Sequence, residues 1–264
     1  MDILAHNRAA WNRECRDGGR WSIPVDAAAI ARARSGHCDV ILTPDALVPA
    51  DWLGELRGRE VLCLASAGGQ QAPLLAAAGA RVTSADLSDE QLANDAMVAA
   101  REGLELRTVQ CDMADLSELP VAAFDLIFHA VSNVFVPDPA AVWRGCARVL
   151  RPGGVLLAGI MNPAFFLFDH DEAARSGSLE VRFRLPYRED DADTPHTQVT
   201  PTRREAIAGG DALQFSHSLQ TQIGALLAAG FVLTGLYEDH WRGASTPLDA
   251  FMPTSIALRA MRRA

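Results

Sequence analysis

Residues 61–160 alternate between short strand-like segments and stretches with helical features, and this alternation limits the possible folds more than any other property of the sequence. Strands of a buried parallel sheet are short, apolar and bounded by turn residues. Five segments fit that description: Val61–Ala65, Arg81–Asp86, Leu106–Gln110, Phe124–His129 and Val155–Ile160. Strand, helix, strand at this spacing predicts a parallel sheet with helices on both faces.

The helices between these strands are marked by end signals. We expect helices at Gln70–Ala78, across residues 88–103 and at Ala140–Leu150. Gly79 is a good C′ residue for the first helix. Ser88 and Gln91 have the spacing of a capping box at the start of the second. Asp138 and Pro139 supply an N-cap and a first-turn proline for the third.

The alternation stops at residue 160 and resumes at residue 216. Residues 161–215 are too many for an ordinary connection, so we expect a lid or a substrate-binding insertion there. They include a strand-like run, Leu179–Leu185. Beyond them the pattern predicts a helix at Leu219–Ala229 and strands at Phe231–Tyr237 and Ser255–Met261. Because the 17 residues between these two strands have no helical pattern, the strands should pair as an antiparallel hairpin.

Charge and composition exclude several classes of function. The chain has 24 basic and 33 acidic residues, a net charge of −9, which disfavours nucleic acid as a partner. All basic residues are Arg, so no mechanism that needs a lysine is available. No apolar run approaches the roughly 18 residues of a membrane span. Five dispersed cysteines without a CxxC pair predict a reduced, cytoplasmic protein without disulfides or a zinc site.

Ligands of an open parallel sheet bind beyond the carboxyl ends of its strands, where the strand order reverses. The residues that follow the predicted strands are therefore the candidate site. The loop Ser66–Gln70 is small enough for a ligand to approach backbone N–H groups at a helix N-terminus. Asp86 lies 17 residues beyond Gly69, an offset at which a carboxylate can accept both hydroxyls of a ribose. Asp112 follows the third strand, where it can contact a ligand or cap a turn.

Five motifs follow one another over residues 61–160: VLCLASAGG, VTSADLS, QCDMADL, FDLIFHAVSN and RVLRPGGVLL. Taken together, they resemble the motifs of the class I S-adenosylmethionine-dependent methyltransferases. The resemblance implies a Rossmann-like, doubly wound α/β fold with a mostly parallel seven-stranded sheet and an antiparallel C-terminal hairpin. It implies one domain over residues 1–264, with an N-terminal helical lid at 1–45, a cofactor-binding core at 46–160, an insertion at 161–215 and a C-terminal unit at 216–264.

The resemblance also implies a binding site for S-adenosylmethionine, with S-adenosylhomocysteine as the product. Ala65, Ser66, Ala67 and Gly69 would form the loop under the methionine part. Asp86 would bind the ribose, Leu87 would pack on the adenine, Asp112 would accept from its amino group, and the N–H of Met113 would face the ring. His129 and Ala130 would pass beside the methyl group.

The sequence departs from the family pattern at three positions. Cys63 stands where the family usually has an acid, and Ala65 and Ala67 stand where it has glycines. If those alanines need a positive φ, each costs about 1 kcal/mol. Gly68 is the expected substitute for the tight turn, and Gln70 or Gln71 for the missing acid.

The acceptor is expected to be a small molecule that attacks through O, N, S or C, but no motif identifies it. His129 is a candidate base, with core packing as the alternative, and His170, His217 and His240 are further candidates. Trp21 is the preferred lid residue, because an aromatic face attracts a sulfonium cation. The other aromatic residues outside the core can equally be packing residues.

Two alternative functions remain open at this stage. A nicotinamide-dependent oxidoreductase would also use Asp86, but the loop lacks G-x-G-x-x-G. A non-catalytic sensor or scaffold would explain the altered glycine loop, and a pocket plugged by Phe165–Phe168 would favour it. We expect no metal and no membrane partner, and a monomer or a homodimer.

Overall fold

The computed structural model describes residues 2–182, 201–243 and 246–264. Its strands are β1 (Glu60–Leu64), β2 (Arg81–Asp86), β3 (Leu106–Gln110), β4 (Phe124–His129), β5 (Leu150–Met161), β6 (Phe231–Asp239) and β7 (Ser255–Arg262). Its α-helices are α1 (Ile3–Arg16), α2 (Ala27–Arg34), α3 (Ala50–Leu53), α4 (Gln71–Ala77), α5 (Asp89–Glu102), α6 (Pro139–Val149), α7 (His170–Ser176), α8 (Pro201–Ala208) and α9 (Ala225–Ala228).

The strands form one seven-stranded sheet in the order β3-β2-β1-β4-β5-β7-β6. The first five strands of that order are parallel, and β7 runs antiparallel to both β5 and β6. This confirms the predicted fold, including the C-terminal hairpin. The chain order reverses between β1 and β4, so the carboxyl ends of these two strands border the expected ligand site.

Strand β1 is buried on both faces, as a central parallel strand should be. Val61 and Cys63 pack in the apolar cluster that contains residues of α2 and α4. Leu62 and Leu64 pack in the opposite cluster, with residues of α6 and α9. The near-continuous apolar run VLCL therefore reflects a two-sided core, and Cys63 belongs to that core.

The N-cap signals are confirmed with small shifts in the helix bounds, but the capping box is not formed, because the side chain of Gln91 binds Gly68 and Ser22 and not the N–H of Ser88. Ser88 caps α5 by accepting from the N–H of Gln91, and Asp138 caps α6. The helix predicted at Leu219–Ala229 contains a π-helical turn, Gln220–Gly224, which leads into α9.

The insertion differs more from its expected form. In the run Leu179–Leu185, Val181 makes an isolated antiparallel bridge to Phe168, and residues 183–185 lie outside the described residues. Helix α8 was not predicted, because its sequence has no apolar stripe.

The N-terminal helix α1 contacts the start of α5. Arg8 and Asn12 donate to Asp89, and Arg16 pairs with Glu90 at 2.6 Å. These exposed pairs contribute little stability individually, but they fix α1 at the carboxyl edge of the sheet. Among the described residues, no helix has both the length and the apolar character needed to cross a membrane.

Candidate functional site

A cavity of about 270 Å³ lies at the carboxyl ends of β1, β2 and β4. Most of the predicted site residues line it: Trp21, Ala65, Ser66, Ala67, Asp86, Leu87, Asp112, Met113 and Ala130. The N-terminal helix, the segment after β4 and the segment after β5 complete its wall. The site predicted from strand ends is thus one continuous space.

The loop after β1 carries backbone strain. Ala65 has φ 46° and Ala67 has φ 68°, so both alanines adopt the left-handed conformation that favours glycine. Gly69, at φ 73°, shares it. Gly68 does not take over this role; a side chain there would place Cβ 2.3 Å from the carbonyl oxygen of Gln91. Gly68 is therefore needed for the close approach of the loop to α5.

Two side chains of α5 accept hydrogen bonds from backbone N–H groups of this loop. The Oε1 atom of Gln91 accepts from the N–H of Gly68, and Oδ1 of Asp95 accepts from the N–H of Gly69, both at 2.6 Å. Ser84 donates to the other carboxylate oxygen of Asp95, also at 2.6 Å. Burial raises the pKa of Asp95 to about 7, although these hydrogen bonds lower it. Gln91 and Asp95 were not among the predicted site residues; the signal in the sequence is two polar residues four apart, on one face of the predicted helix.

Asp86 ends β2 in the cavity wall. Its Oδ1 atom accepts from the N–H of Ser88 at 2.8 Å. Burial raises its pKa to about 6, despite the backbone hydrogen bonds from Ser88 and Leu87 that lower it. A half-buried carboxylate of this kind gains from hydroxyl donors, and ribose hydroxyls supply them. Asp112 both lines the cavity and caps a turn, because its Oδ1 accepts from the N–H of Ala114 at 2.9 Å.

Three predicted site residues do not line the cavity. Gly69 faces Pro24, whose Cα would be 3.1 Å from an added Cβ. Gln70 donates through Nε2 to the carbonyl oxygens of Arg20 and Ile23. His129 has no exposed surface; its ring nitrogens lie 2.8 Å from the carbonyl oxygen of Leu64 and 2.7 Å from Oδ1 of Asn133.

Of the two glutamines expected to replace the missing acid, Gln71 is in position. It lines the cavity, and its Oε1 atom accepts from the N–H of Ile41 at 3.0 Å. Cys63, at the acid's own position, is fully buried in the core. An amide oxygen with a second lone pair is an acceptor for an ammonium group.

Aromatic residues cover the cavity. The rings of Trp21 and Trp241 lie 5.6 Å apart, and the guanidinium of Arg20 stands 5.1 and 4.6 Å from their centroids. Trp11 of α1 meets Phe135 edge to face at 5.0 Å. The N-terminal segment and the segment after β6 thus form a shared aromatic cover.

The remaining histidine candidates occupy different environments. His170 lines the cavity with Phe165 and Met161. His217 is buried, with Nε2 3.1 and 2.9 Å from the carbonyl oxygens of Asn133 and Val136. His240 is exposed. Within the described ranges, His, Cys, Asp and Glu side chains form no group suited to hold a metal ion.

Comparison with known proteins agrees with this geometry. A family described as "Methyltransferase domain" matches residues 62–158. An uncharacterized methyltransferase of Bacillus subtilis is 42% identical over 260 residues, covering 98% of both chains. A ubiquinone biosynthesis O-methyltransferase of Sodalis glossinidius is 34% identical over 109 residues, which cover 41% of this chain and 44% of the relative. A crystal structure of an S-adenosylmethionine-dependent methyltransferase from Mesorhizobium loti has the same fold, with TM-score 0.59, 22% identity, and coverage of 80% of this chain and 94% of the other.

Proposed function

The chain belongs to the class I S-adenosylmethionine-dependent methyltransferases, and from that premise we propose that it methylates a small molecule held in the cavity. The observation that carries this proposal is that one cavity joins the predicted cofactor residues to an aromatic-lined region. Asp86 and Asp112 belong to the first part, and Trp11, Phe135 and Phe165 to the second. A donor and an acceptor can therefore be held together, which supplies much of the rate of a bimolecular displacement.

The loop and the strand ends are proposed to hold the cofactor. The backbone at Ala65, Ser66 and Ala67 carries the methionine part, with Gln71 in reach of its amino group. The fit is supported by the half-buried carboxylate of Asp86, which lacks the hydroxyl donors that would stabilise it. A ribose provides those donors.

The adenine end rests on the residues after β2 and β3. Leu87 offers an apolar surface, and Met113 offers a backbone N–H to the ring. The carboxylate of Asp112 keeps an oxygen for an amino group, since its other oxygen caps a turn. Ala130, which lines the cavity, is proposed to pass beside the methyl group.

The cofactor, when bound, supplies a methyl group already activated on a sulfonium, and S-adenosylhomocysteine is the leaving product. This chain's own residues then have to orient the acceptor and exclude water. The aromatic cover of Trp21 and Trp241 suits both tasks, because the two rings add apolar surface that attracts a cation to the cavity wall. We propose that residues 1–45 act as the lid.

Gly69, Gln70 and His129 are proposed to act indirectly. Gly69 and Gln70 connect the cofactor loop to the N-terminal segment. His129 joins β1 to the segment after β4, because its ring bridges Leu64 and Asn133. Both ring nitrogens are engaged and burial lowers the pKa of the imidazole, so His129 is not proposed as the base.

A concave, largely apolar cavity favours a small acceptor over a macromolecule. The net charge of −9 argues against nucleic acid in particular. Cytoplasmic location is proposed because all five cysteines are free thiols. The name of the ubiquinone relative gives oxygen as its acceptor atom, but the match covers too little of this chain to transfer that property.

Calorimetric titration with S-adenosylmethionine, S-adenosylhomocysteine and NAD tests the proposal. We expect one-to-one binding of the first two and none of NAD, followed by methyl transfer to members of a panel of small acceptors. Binding of NAD alone would refute the cofactor assignment. Binding of both sulfur compounds without transfer to any acceptor would favour the sensor alternative. Asp51→Asn, an exposed change outside the cavity lining, is the control variant and should bind both sulfur compounds as wild type does.

A further inference from the structure

Burial lowers the pKa of three histidines of the described chain, and these three differ in what their rings contact. Those of His129 and His217 lie within hydrogen-bond distance of backbone carbonyl oxygens. His170 has no such contact in the part of the chain that the structure describes; Nε2 of its ring lies 3.6 Å from Oδ1 of Asp171. That separation is longer than a hydrogen bond. His170 is also the one of the three that lines the cavity.

The position of His170 is fixed by packing. It begins α7, whose N-cap Asp169 accepts from the N–H of Glu172 at 3.0 Å. The imidazole stacks on Phe165 with centroids 5.1 Å apart and an interplanar angle of 28°. Both residues belong to the cavity wall. The ring is therefore held at the cavity while its polar atoms are left for a ligand.

Charged groups from two elements face this ring. Asp169 and Asp171 belong to the N-terminal turn of α7, Arg203 comes from α8, and Asp211 follows α8. Arg203 also pairs with both Asp171 and Asp211, at 3.7 and 2.9 Å. Burial lowers the pKa of His170, the carboxylates raise it and Arg203 lowers it further, and the net direction is down. The imidazole is therefore neutral at pH 7 and can accept a proton.

The carboxylate of Asp171 also selects the tautomer. At 3.6 Å this contact is electrostatic and not a hydrogen bond, and a negative carboxylate beside Nε2 favours the imidazole that carries its positive N–H at Nε2. The lone pair is then on Nδ1. Once Nδ1 takes a proton, the same carboxylate stabilises the cation that results.

The rest of the cavity indicates the kind of acceptor. In the described part of the chain, its titratable lining residues are Asp86, Asp112 and His170, and no arginine lines it. Asp86 and Asp112 are carboxylates of the proposed cofactor site, and neither can balance a negative charge. An anionic acceptor would therefore find no cationic side chain in the described lining. Phe165 stacks on His170, and the lining also includes apolar residues such as Met161 and Phe135. An uncharged and largely apolar acceptor fits this lining.

Resting on the methyl transfer proposed above, we propose that His170 is the catalytic base, and that the acceptor is an uncharged, largely apolar molecule that presents a hydroxyl group. The O–H bond of the acceptor breaks, its electron pair stays on the oxygen, and the proton forms an N–H bond at Nδ1 of His170. The oxygen forms the new C–O bond as the carbon–sulfur bond of the donor breaks. The proton leaves His170 for solvent after the product departs.

A base is needed for this acceptor class, because a phenolic hydroxyl with a pKa of about 10 is almost fully protonated at pH 7. A free amine or a thiolate would not need one. An acceptor hydroxyl needs a base, and His170 is the neutral imidazole that lines the described cavity.

Para-nitrophenol, whose phenolate is coloured, provides a test without turnover. Its ionisation is followed by absorbance on protein saturated with S-adenosylhomocysteine, in wild type, in His170→Gln and in His37→Gln, an exposed control. Para-nitroanisole, which has no hydroxyl proton, is the matched ligand. Calorimetry with S-adenosylhomocysteine checks that each variant is folded.

We expect the bound phenol to ionise with an apparent pKa at least about one unit lower in wild type and His37→Gln than in His170→Gln, a tenfold difference in ionisation constant. Para-nitroanisole should bind all three proteins within threefold. Equal ionisation in wild type and His170→Gln would overturn the role of His170. Failure of either aromatic probe to bind while S-adenosylhomocysteine binds would overturn the acceptor class. Failure of wild type to bind S-adenosylhomocysteine would refute the proposed function itself.

Discussion

Substitution by glycine usually destabilises a protein, but we predict that it stabilises this one at the two alanines with positive φ in the proposed cofactor loop. Ala65 and Ala67 hold φ 46° and 68° in the loop that follows β1. Glycine adopts such angles at no steric cost, whereas an L-residue loses about 1–2 kcal/mol. We therefore expect Ala65→Gly and Ala67→Gly to raise the free energy of unfolding.

This gain in the free energy of unfolding is partly offset by the greater conformational entropy of glycine in the unfolded chain. Glycine makes the unfolded state more flexible, which costs about 0.4–1 kcal/mol per substitution. The difference leaves a gain of about 0.5–1 kcal/mol at each site, since both side chains are only half-buried and lose little packing. With an unfolding entropy of about 2.1 cal/mol/K per residue, the double variant should gain about 2–4 °C in Tm.

Thermal unfolding without ligand, followed by circular dichroism or calorimetry, measures this shift. Ala122→Gly is a positive control, because Ala122 has φ 49° in a turn outside the cavity lining. Ala147→Gly, inside helix α6, is the opposite control and should lose about 1 kcal/mol. If Ala67→Gly lowers Tm as much as Ala147→Gly does, the strain argument is refuted.

Three further predictions concern the buried carboxylates. Asp86→Asn should weaken S-adenosylhomocysteine binding at least tenfold by calorimetry, whereas Asp51→Asn should not; unchanged affinity would contradict the ribose assignment. Because the pKa of Asp86 is raised to about 6, wild-type affinity should fall as pH drops below about 6, where the carboxyl is protonated, and this dependence should shrink in Asp86→Asn. Burial likewise raises the pKa of Asp95 to about 7, above its unfolded value of about 3.9, so the folded state prefers the protonated form and wild type loses stability as pH rises through that interval. The Tm of Asp95→Asn relative to wild type should therefore increase from about pH 4 to pH 7 and then level off, and a constant difference would show that Asp95 is not the group responsible.

The fold could be predicted because each of its signals is local. A buried parallel strand needs a continuous apolar run, and β1 and β4 have one. The residues at the strand ends followed from the rule for open sheets, which is why Asp86, Asp112 and Ala65 were predicted and do line the cavity.

The rest of the site depends on contacts distant in sequence. Gln70 faces away from the cavity because the N-terminal segment gives its amide two carbonyl oxygens at Arg20 and Ile23. Asn7 joins α1 to the segment after β4 through the carbonyl of Phe135, 128 residues away. No local pattern contains such information.

His129 shows that a shift of one residue at the end of a strand changes which side chain lines the cavity. It is the last residue of β4, and its neighbour Ala130 lines the cavity while His129 does not. Side chains alternate between faces along a strand, so a shift of one residue decides which of the two meets a ligand. Sequence patterns do not fix strand boundaries to that accuracy.

The position of β7 between β5 and β6 has a consequence for how the protein is made. Strand β6 leaves the ribosome before β7, yet it pairs with β7 alone and cannot join the sheet until that strand arrives. The carboxyl edge of β5 also gains its partner then, because Met161 pairs with Ser255. Both residues line the cavity. A nascent chain can therefore assemble the parallel, proposed cofactor half early, but it acquires the proposed acceptor wall only once β7 has emerged, so truncation before β7 should remove acceptor binding before cofactor binding.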